Sequence, residues 1–324
     1  TRWPISLLNT SPNSKSMNKQ TSDQLLMIRP SCFYTNEQTA TNNYFQHQTQ
    51  ESQGATTAKA QQEFDGFVSE LRFHGVAVYV WQDSIEPNTP DALFPNNWIS
   101  FHNPKTIVTY PMYAVNRQME VNKAPIEFLE SKGFLFSNQI DFTSFISSNL
   151  YLEGTGSMVL DRENQIAYCA RSERTNPILI DMFCKKMGYS AVVFSSFQSV
   201  NGQRQPIYHT NVMMSIGLDF AVVCLDSIDE TKDRNVLIHS LETTGKTIIK
   251  LTEEQIHQFA GNVLELQSNK GDRLLAMSTS AFDALTDSQK SALSSKLTMV
   301  HSPLPTIERL GGGSARCMMA ELFM

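Results

Sequence analysis

The sequence predicts an α/β domain assembled from repeated strand–strand–helix modules. Three observations predict it. Short apolar runs rich in Val and Ile alternate with amphipathic helical stretches along most of the chain. No proline- or glycine-rich linker divides them. Several helices carry readable start and stop signals.

Leu25-Leu26-Met27-Ile28-Arg29-Pro30 reads as a short buried strand ended by proline. Residues 57–73 place Phe64, Phe67, Val68 and Leu71 on one helical face, Gly75 stops that helix, and 76–81 follow as a strand. Residues 106–110 are a further strand, and 124–131 a short helix closed by Gly133. Residues 157–170 read as a hairpin turning at Asp161-Arg162-Glu163-Asn164. Asn176-Pro177 caps a helix that runs to Gly188. Strands are expected at 191–194, 212–216 and 220–225, and late ones at 274–277 and 296–300. Thr252 with Gln255, and Thr286 with Gln289, form capping boxes that open two more helices. Residues 1–24 are polar, Ser/Asn-rich and without periodicity. They are expected to be a disordered or extraneous N-terminal segment, with Met17 as the natural initiator. Residues 25–324 form a single domain.

Composition excludes several classes of function. The chain has 324 residues, 41% hydrophobic and 18% charged, which is ordinary for a soluble globular protein. Its net charge is -6 with no basic block, so nothing marks a nucleic-acid partner. No apolar run reaches the length of a membrane span. The five cysteines form no CxxC pair, so zinc spacing is absent. Neither a P-loop nor a dinucleotide fingerprint appears, and no cofactor is expected. An odd cysteine count without a signal peptide argues for a reducing, cytoplasmic setting. Cys169, Cys184 and Cys224 lie in apolar runs and read as core. The sequence leaves self-association open.

Cys317 differs from the others. It follows Gly311-Gly312-Gly313-Ser314-Ala315-Arg316, near the C-terminus. A glycine run lets the backbone approach another group closely, and a neighbouring arginine is where a thiolate could be stabilised. A lone cysteine is by default structural, so the catalytic reading depends on partners elsewhere. Asp91, Asn96 and Asn97 offer one carboxylate and two amides in a loop, although Asp, Asn and Pro make turns everywhere. Glu153 precedes Gly154-Thr155-Gly156. Arg171 and Arg174 stand just before the Asn176 cap, and Arg171 reads as a solvated charge. His209 enters an apolar run and is a candidate acid/base, but spacing does not separate it from His74, His102 or His239.

Five motifs together are specific: Pro90-Asp91-x-x-Phe94-x-Asn96-Asn97, Glu153-Gly154, Ser172-x-Arg174-Thr175-Asn176, His209, and the glycine run leading to Cys317. In this order they resemble the guanidine-modifying, or pentein, superfamily over about residues 25–324. That group holds arginine deiminases, dimethylarginine hydrolases and amidinotransferases. Phe94-Pro95-Asn96-Asn97-Trp98 and Asn116-Arg117 are most similar to its citrulline-hydrolysing CtlX branch. The resemblance implies a five-bladed α/β propeller of ββαβ modules around a pseudo-fivefold axis. It implies Cys317 as nucleophile, His209 as general acid/base, and Glu153 orienting the histidine or touching the substrate nitrogens. Asp91, Asn96 and Asn97 would line the pocket for the planar head group, and Arg174 and Arg117 would hold an α-carboxylate. Relatives acting on arginine carry a carboxylate at the position of Asn97, and many also carry one at that of Asn211. A guanidinium offers only N–H donors, so acceptors suit it, whereas a ureido oxygen needs a donor. The two asparagines therefore point to a ureido amino acid such as citrulline, with arginine or dimethylarginine as alternatives. A non-catalytic pentein, like a known ribosome-associated translation factor, remains the binding-protein alternative. The presence of Cys317, His209 and Glu153 speaks against it.

Overall fold

A computed structural model describes residues 19–323. It contains seventeen strands among the described residues. In chain order they are β1 (Gln24–Arg29), β2 (Ala77–Gln82), β3 (Ile99–His102), β4 (Thr106–Thr109), β5 (Asn138–Asp141), β6 (Met158–Asp161), β7 (Ile166–Ala170) and β8 (Ser190–Phe194). There follow β9 (Phe197–Val200), β10 (Gln203–Pro206), β11 (Met214–Ile216), β12 (Phe220–Val223), β13 (Thr247–Lys250), β14 (Leu264–Gln267), β15 (Arg273–Ser278), β16 (Thr298–Ser302) and β17 (Ala320–Glu321). The principal helices are α1 (Gln53–Phe73), α2 (Ala124–Ser131), α3 (Pro177–Met187), α4 (Thr231–Thr243), α5 (Thr279–Ala284) and α6 (Asp287–Ser294).

Five three-stranded sheets share one plan: β17-β1-β2, β3-β4-β5, β6-β7-β8, β11-β12-β13 and β14-β15-β16. In each, the first strand is antiparallel to the second and the second is parallel to the third. The parallel pair needs a crossover, and a helix supplies it every time. The class is mixed α/β, as the alternation predicts, and each unit pairs as ββαβ, the module that the resemblance implies. The middle strands are buried along most of their length, which is why they read as continuous apolar runs rather than alternating ones. The last strand pairs with the first, Leu25 facing Glu321 and Leu26 facing Ala320.

Local chemistry explains the helix limits. The Ser52 side chain accepts from the Ala55 N–H at the start of α1, which buries Phe64, Phe67, Val68 and Leu71. The Asn176 side chain accepts from Ile178 N–H, Pro177 opens α3, and Gly188 closes it at φ +74°. Both expected capping boxes are formed. Among the described residues, no helix is long and apolar enough to cross a membrane.

Two expectations change. The apolar stretch 212–216 is not one strand: Thr210–Met213 makes a helical turn and only Met214–Ile216 is extended. A short apolar run does not distinguish the two, and here the Thr210 hydroxyl fixes the turn, donating to Ser157 O and accepting from Ala170 N–H. The structured chain begins before residue 25. Gln20 is buried, donating to Leu160 O and accepting from Arg162 N–H, and Ser22 donates to Leu322 O. The expectations for residues 1–18, Met17 included, lie outside the described residues. Helix α4 has no clear signal because only Leu237 and Leu241 are buried on it.

Candidate active site

The first strand of each unit is preceded by a tight turn. These are Pro95–Asn97 before β3, Gly154–Ser157 before β6, Thr210–Met213 before β11, residues 258–261 before β14 and Ala315–Met318 before β17. The Gly154–Ser157 turn touches those of Asn97 and Asn211, and the Pro95–Asn97 turn touches that of Cys317. Each turn is anchored by apolar side chains behind it. Trp98, Met158, Met213 and Met318 are all fully buried, and each contributes on the order of 1.5–3 kcal/mol. Side chains far apart in sequence meet where the turns converge.

Asp91, Asn97, Arg117, Arg174, His209 and Cys317 line one small cavity that is partly open to solvent. The glycine run forms one wall. Gly311 and Gly313 approach the Phe94 ring closely, and a Cβ on either would stand 3.0 Å from it. Gly312 has φ +61° and a Cβ there would meet Asn43 at 2.6 Å. The segment before α1 covers the cavity, with Asn43 donating to the carbonyls of Gly311 and Gly312.

Glu153 is buried behind His209 and does not line the cavity. Its Oε2 accepts from His209 Nε2 at 2.7 Å and its Oε1 accepts from Tyr113 N–H at 2.9 Å. Burial opposes the carboxylate charge. Arg174, the His209 bond and Arg117 outweigh it and hold Glu153 down at about 2. Burial also lowers His209, to about 4, against the pull of Glu153. The pair is therefore a carboxylate and a neutral imidazole, with the proton on Nε2 and the lone pair on Nδ1.

Arg117 Nη1 donates to Asn97 Oδ1 at 2.8 Å, and Nε and Nη2 donate to the two Glu120 oxygens at 2.9 Å each. Asn97 Nδ2 donates to Asn96 Oδ1 at 3.0 Å. Asp91 Oδ2 accepts from Asn36 Nδ2 at 2.7 Å, while its buried Oδ1 has no partner among the described residues. Burial pushes the Asp91 carboxyl up. Arg174 Nε donates to Asn42, Nη2 donates to Thr39 O, and its guanidinium sits 4.8 Å over the Tyr208 ring. Its Nη1 makes no hydrogen bond among the described residues and lies 3.6 Å from Glu153.

A family profile for N,N-dimethylarginine dimethylhydrolase, eukaryotic, matches residues 29–324. The chain belongs to that family. Its members are guanidine-modifying enzymes of the pentein superfamily, as the motifs imply. Solved pentein structures are similar in fold. ArgZ, an arginine dihydrolase from the ornithine–ammonia cycle in cyanobacteria, superposes with a TM-score of 0.68 at 16% identity, over 93% of this chain and 41% of ArgZ. The present chain thus spans about two fifths of that protein. The N-terminal domain of ArgZ, covalently bound to a reaction intermediate, gives 0.67 at 15% identity over 93% of this chain and 97% of that one. A dimethylarginine dimethylaminohydrolase adduct with S-methyl-L-thiocitrulline gives 0.61 at 12% identity over 93% and 99%. No curated protein sequence matches the chain.

Measured against this family member's cavity, the expected site residues divide. Asp91, Asn97, Arg117, Arg174, His209 and Cys317 converge on it. Asn96 does not line it; its side chain braces Asn97 and donates to Thr155 Oγ1 at 3.1 Å. Asn211 does not line it either, because its turn carries the amide to Cys317 Sγ, with Nδ2 3.5 Å away. Arg316 cannot hold a thiolate. Consecutive side chains in a tight turn diverge, and its guanidinium donates to Glu321 Oε2 at 2.7 Å and to Met319 O. Arg171 is exposed, as expected, 3.4 Å from Asp233.

Gly156 is tightly enclosed by two of these side chains. A Cβ would stand 2.5 Å from Asn97 Nδ2 and 2.8 Å from the His209 ring. Gly156→Ala is expected to displace both and lower kcat/KM about a hundredfold in a folded protein. Near-normal kinetics in that variant would contradict this account of how Asn97 and His209 are spaced.

Proposed function

We propose that this protein hydrolyses a C–N bond at the ureido carbon of citrulline, through a covalent intermediate on Cys317, giving ornithine, ammonia and carbon dioxide. One observation carries the choice of a ureido group. Arg117 donates to Asn97 Oδ1, so the amide edge left to face a substrate is the N–H edge. An N–H suits a ureido oxygen and repels a guanidinium, which has no acceptor. The unpartnered Asp91 Oδ1 then accepts from the ureido NH₂. Arg174, whose Nη1 makes no hydrogen bond among the described residues, is the cation for the α-carboxylate. Arg117 is already engaged by Glu120, Asn97 and the Phe94 carbonyl, and acts through Asn97.

In the first step His209 Nδ1 takes the Cys317 thiol proton, and the thiolate attacks the ureido carbon. The C–N bond to the δ-nitrogen breaks, and His209 returns the proton to that leaving nitrogen. Ornithine departs and an S-carbamoyl group remains. His209 then deprotonates a water, which releases carbamic acid and restores the thiol; carbamic acid decays to ammonia and carbon dioxide. Asn97 Nδ2–H faces the developing oxyanion. Glu153 keeps the histidine proton on Nε2 and the ring in place. The five sheets are read as blades of an α/β propeller, supported by their common plan and by the pairing of β17 with β1.

A second reading takes arginine as substrate. The free Asp91 carboxylate oxygen would suit a guanidinium, and the similar structures include arginine dihydrolases. Product analysis separates the two. The protein is offered citrulline and arginine separately. Ornithine and ammonia from citrulline, with arginine untouched, is the expected result. Citrulline accumulating from arginine would overturn the Asn97 assignment. Asn97→Asp is expected to lower citrulline turnover about a hundredfold, the scale for loss of one oxyanion donor.

A further inference from the structure

The reaction assigned above uses residues in or beside four of the five turns; the fifth is the turn before β14, and Asn262 directly follows it. Asn262 is fully buried. Its Oδ1 accepts from Arg316 N–H at 3.1 Å, its Nδ2 donates to Asn211 O at 2.9 Å, and the same Nδ2 lies 3.3 Å from Cys317 Sγ. An asparagine amide has two donor hydrogens and one acceptor oxygen. Here the acceptor and one hydrogen are taken by backbone groups that cannot exchange roles: Arg316 N–H only donates and Asn211 C=O only accepts. That fixes which atom is nitrogen, without reference to the sulfur. The remaining hydrogen is the one that points at Sγ.

We propose that Asn262 is a further catalytic residue, donating an N–H to the Cys317 sulfur and favouring the thiolate at the moment of attack. A hydrogen bond to the charged form of a group favours that form. The residue also ties the Cys317 turn to the Asn211 turn, so the sulfur is held between two units. Asn211 Nδ2, at 3.5 Å, adds a second amide near the same atom, and with Oδ1 at 3.9 Å its orientation is less constrained. Arg316, the one cation next to Cys317 in sequence, is turned away onto Glu321. The amides replace it.

This deepens the proposed reaction, but its test needs no substrate and so fails or succeeds independently of substrate identity. Cys317 is alkylated with iodoacetamide at several pH values, and labelling is followed by mass spectrometry of its peptide. Asn262→Ser removes the donor. The expected result is labelling about tenfold slower at pH 7, recovering at higher pH, in a protein whose thermal unfolding remains cooperative. Asn262→Asp keeps the volume and the acceptor for Arg316 N–H but replaces the N–H with a carboxylate oxygen. It is expected to slow labelling further, and it serves if the serine variant does not fold. A purely structural asparagine would alter stability and leave the pH dependence of labelling unmoved. Unchanged labelling in either folded variant would overturn the proposal.

Discussion

Cys317→Ala is expected to abolish citrulline turnover, by about 10⁵-fold or more, while leaving the fold intact. The side chain lies in a turn held by fully buried Met318 and Met319 on one side and by Asn262 and the Arg316 N–H on the other. Removing Sγ creates only a small cavity next to an existing one. The loss is therefore chemical: no other buried cysteine can replace it. Cys32, Cys169, Cys184 and Cys224 do not line this cavity, and burial pushes each of their thiols up. Substrate binding should survive, so calorimetry with Cys317→Ala would show citrulline bound without turnover. Measurable turnover by the variant would remove the covalent mechanism.

Glu153→Gln is the second large effect, although the side chain never touches the cavity. Glu153 accepts from two donors, Tyr113 N–H and His209 Nε2–H. A glutamine has one acceptor oxygen, so its NH₂ must face one of those donors. Imidazole can escape that clash by moving its proton to Nδ1, which removes the lone pair that the reaction uses. The expected fall in kcat is about 10³–10⁴-fold, the scale seen when a catalytic histidine is held in the wrong tautomer. Arg174 at 3.6 Å and Arg117 at 3.9 Å also lose their shared anion. Breaking a buried charge pair costs about 3–5 kcal/mol, so the variant should unfold at lower urea than wild type. A kcat within tenfold of wild type would contradict the orienting role.

The same pair sets an acid limit on stability. His209 is held near 4 in the fold, below the ordinary histidine value of about 6.5. The unfolded chain therefore binds a proton that the folded one refuses, and stability falls as pH drops from about 6.5 through 4. Glu153, held near 2, adds a further loss only as pH falls from the ordinary carboxylate range through about 2. Urea midpoints at pH 7 and pH 5 should differ for wild type. His209→Gln should flatten that difference, and an equal slope in the variant would contradict it.

Much of this was legible in the sequence, for identifiable reasons. The middle strands are buried on both faces and so read as apolar runs; α3 and α6 begin with side chains that cap them. Cys317 stood out through its glycine run, whose closeness to Phe94 explains it. His209 could not be separated from other histidines, because its partner Glu153 is 56 residues away. Arg316 was misleading because adjacency in sequence is not adjacency of side chains in a tight turn. Residues 31–52 have no periodicity, yet supply Asn36, Asn42 and Asn43 to the site. Asn262 was silent as a lone asparagine in a turn. A signal did exist: an asparagine followed by an apolar residue just before a strand recurs at Asn97-Trp98 and Asn262-Val263, and one residue earlier at Asn211-Val212. Comparing the units with one another would have found it.

The central claim is a covalent bond between Cys317 and the ureido carbon. Its most direct measurement is an acid-quenched time course of the enzyme turning over citrulline, with mass spectrometry of the peptide that contains Cys317. The account predicts that this peptide gains one carbamoyl group during turnover and returns to its free mass when citrulline is exhausted. Steady ornithine production with Cys317 unmodified at every time point, or a carbamoyl group on another cysteine instead, would contradict it.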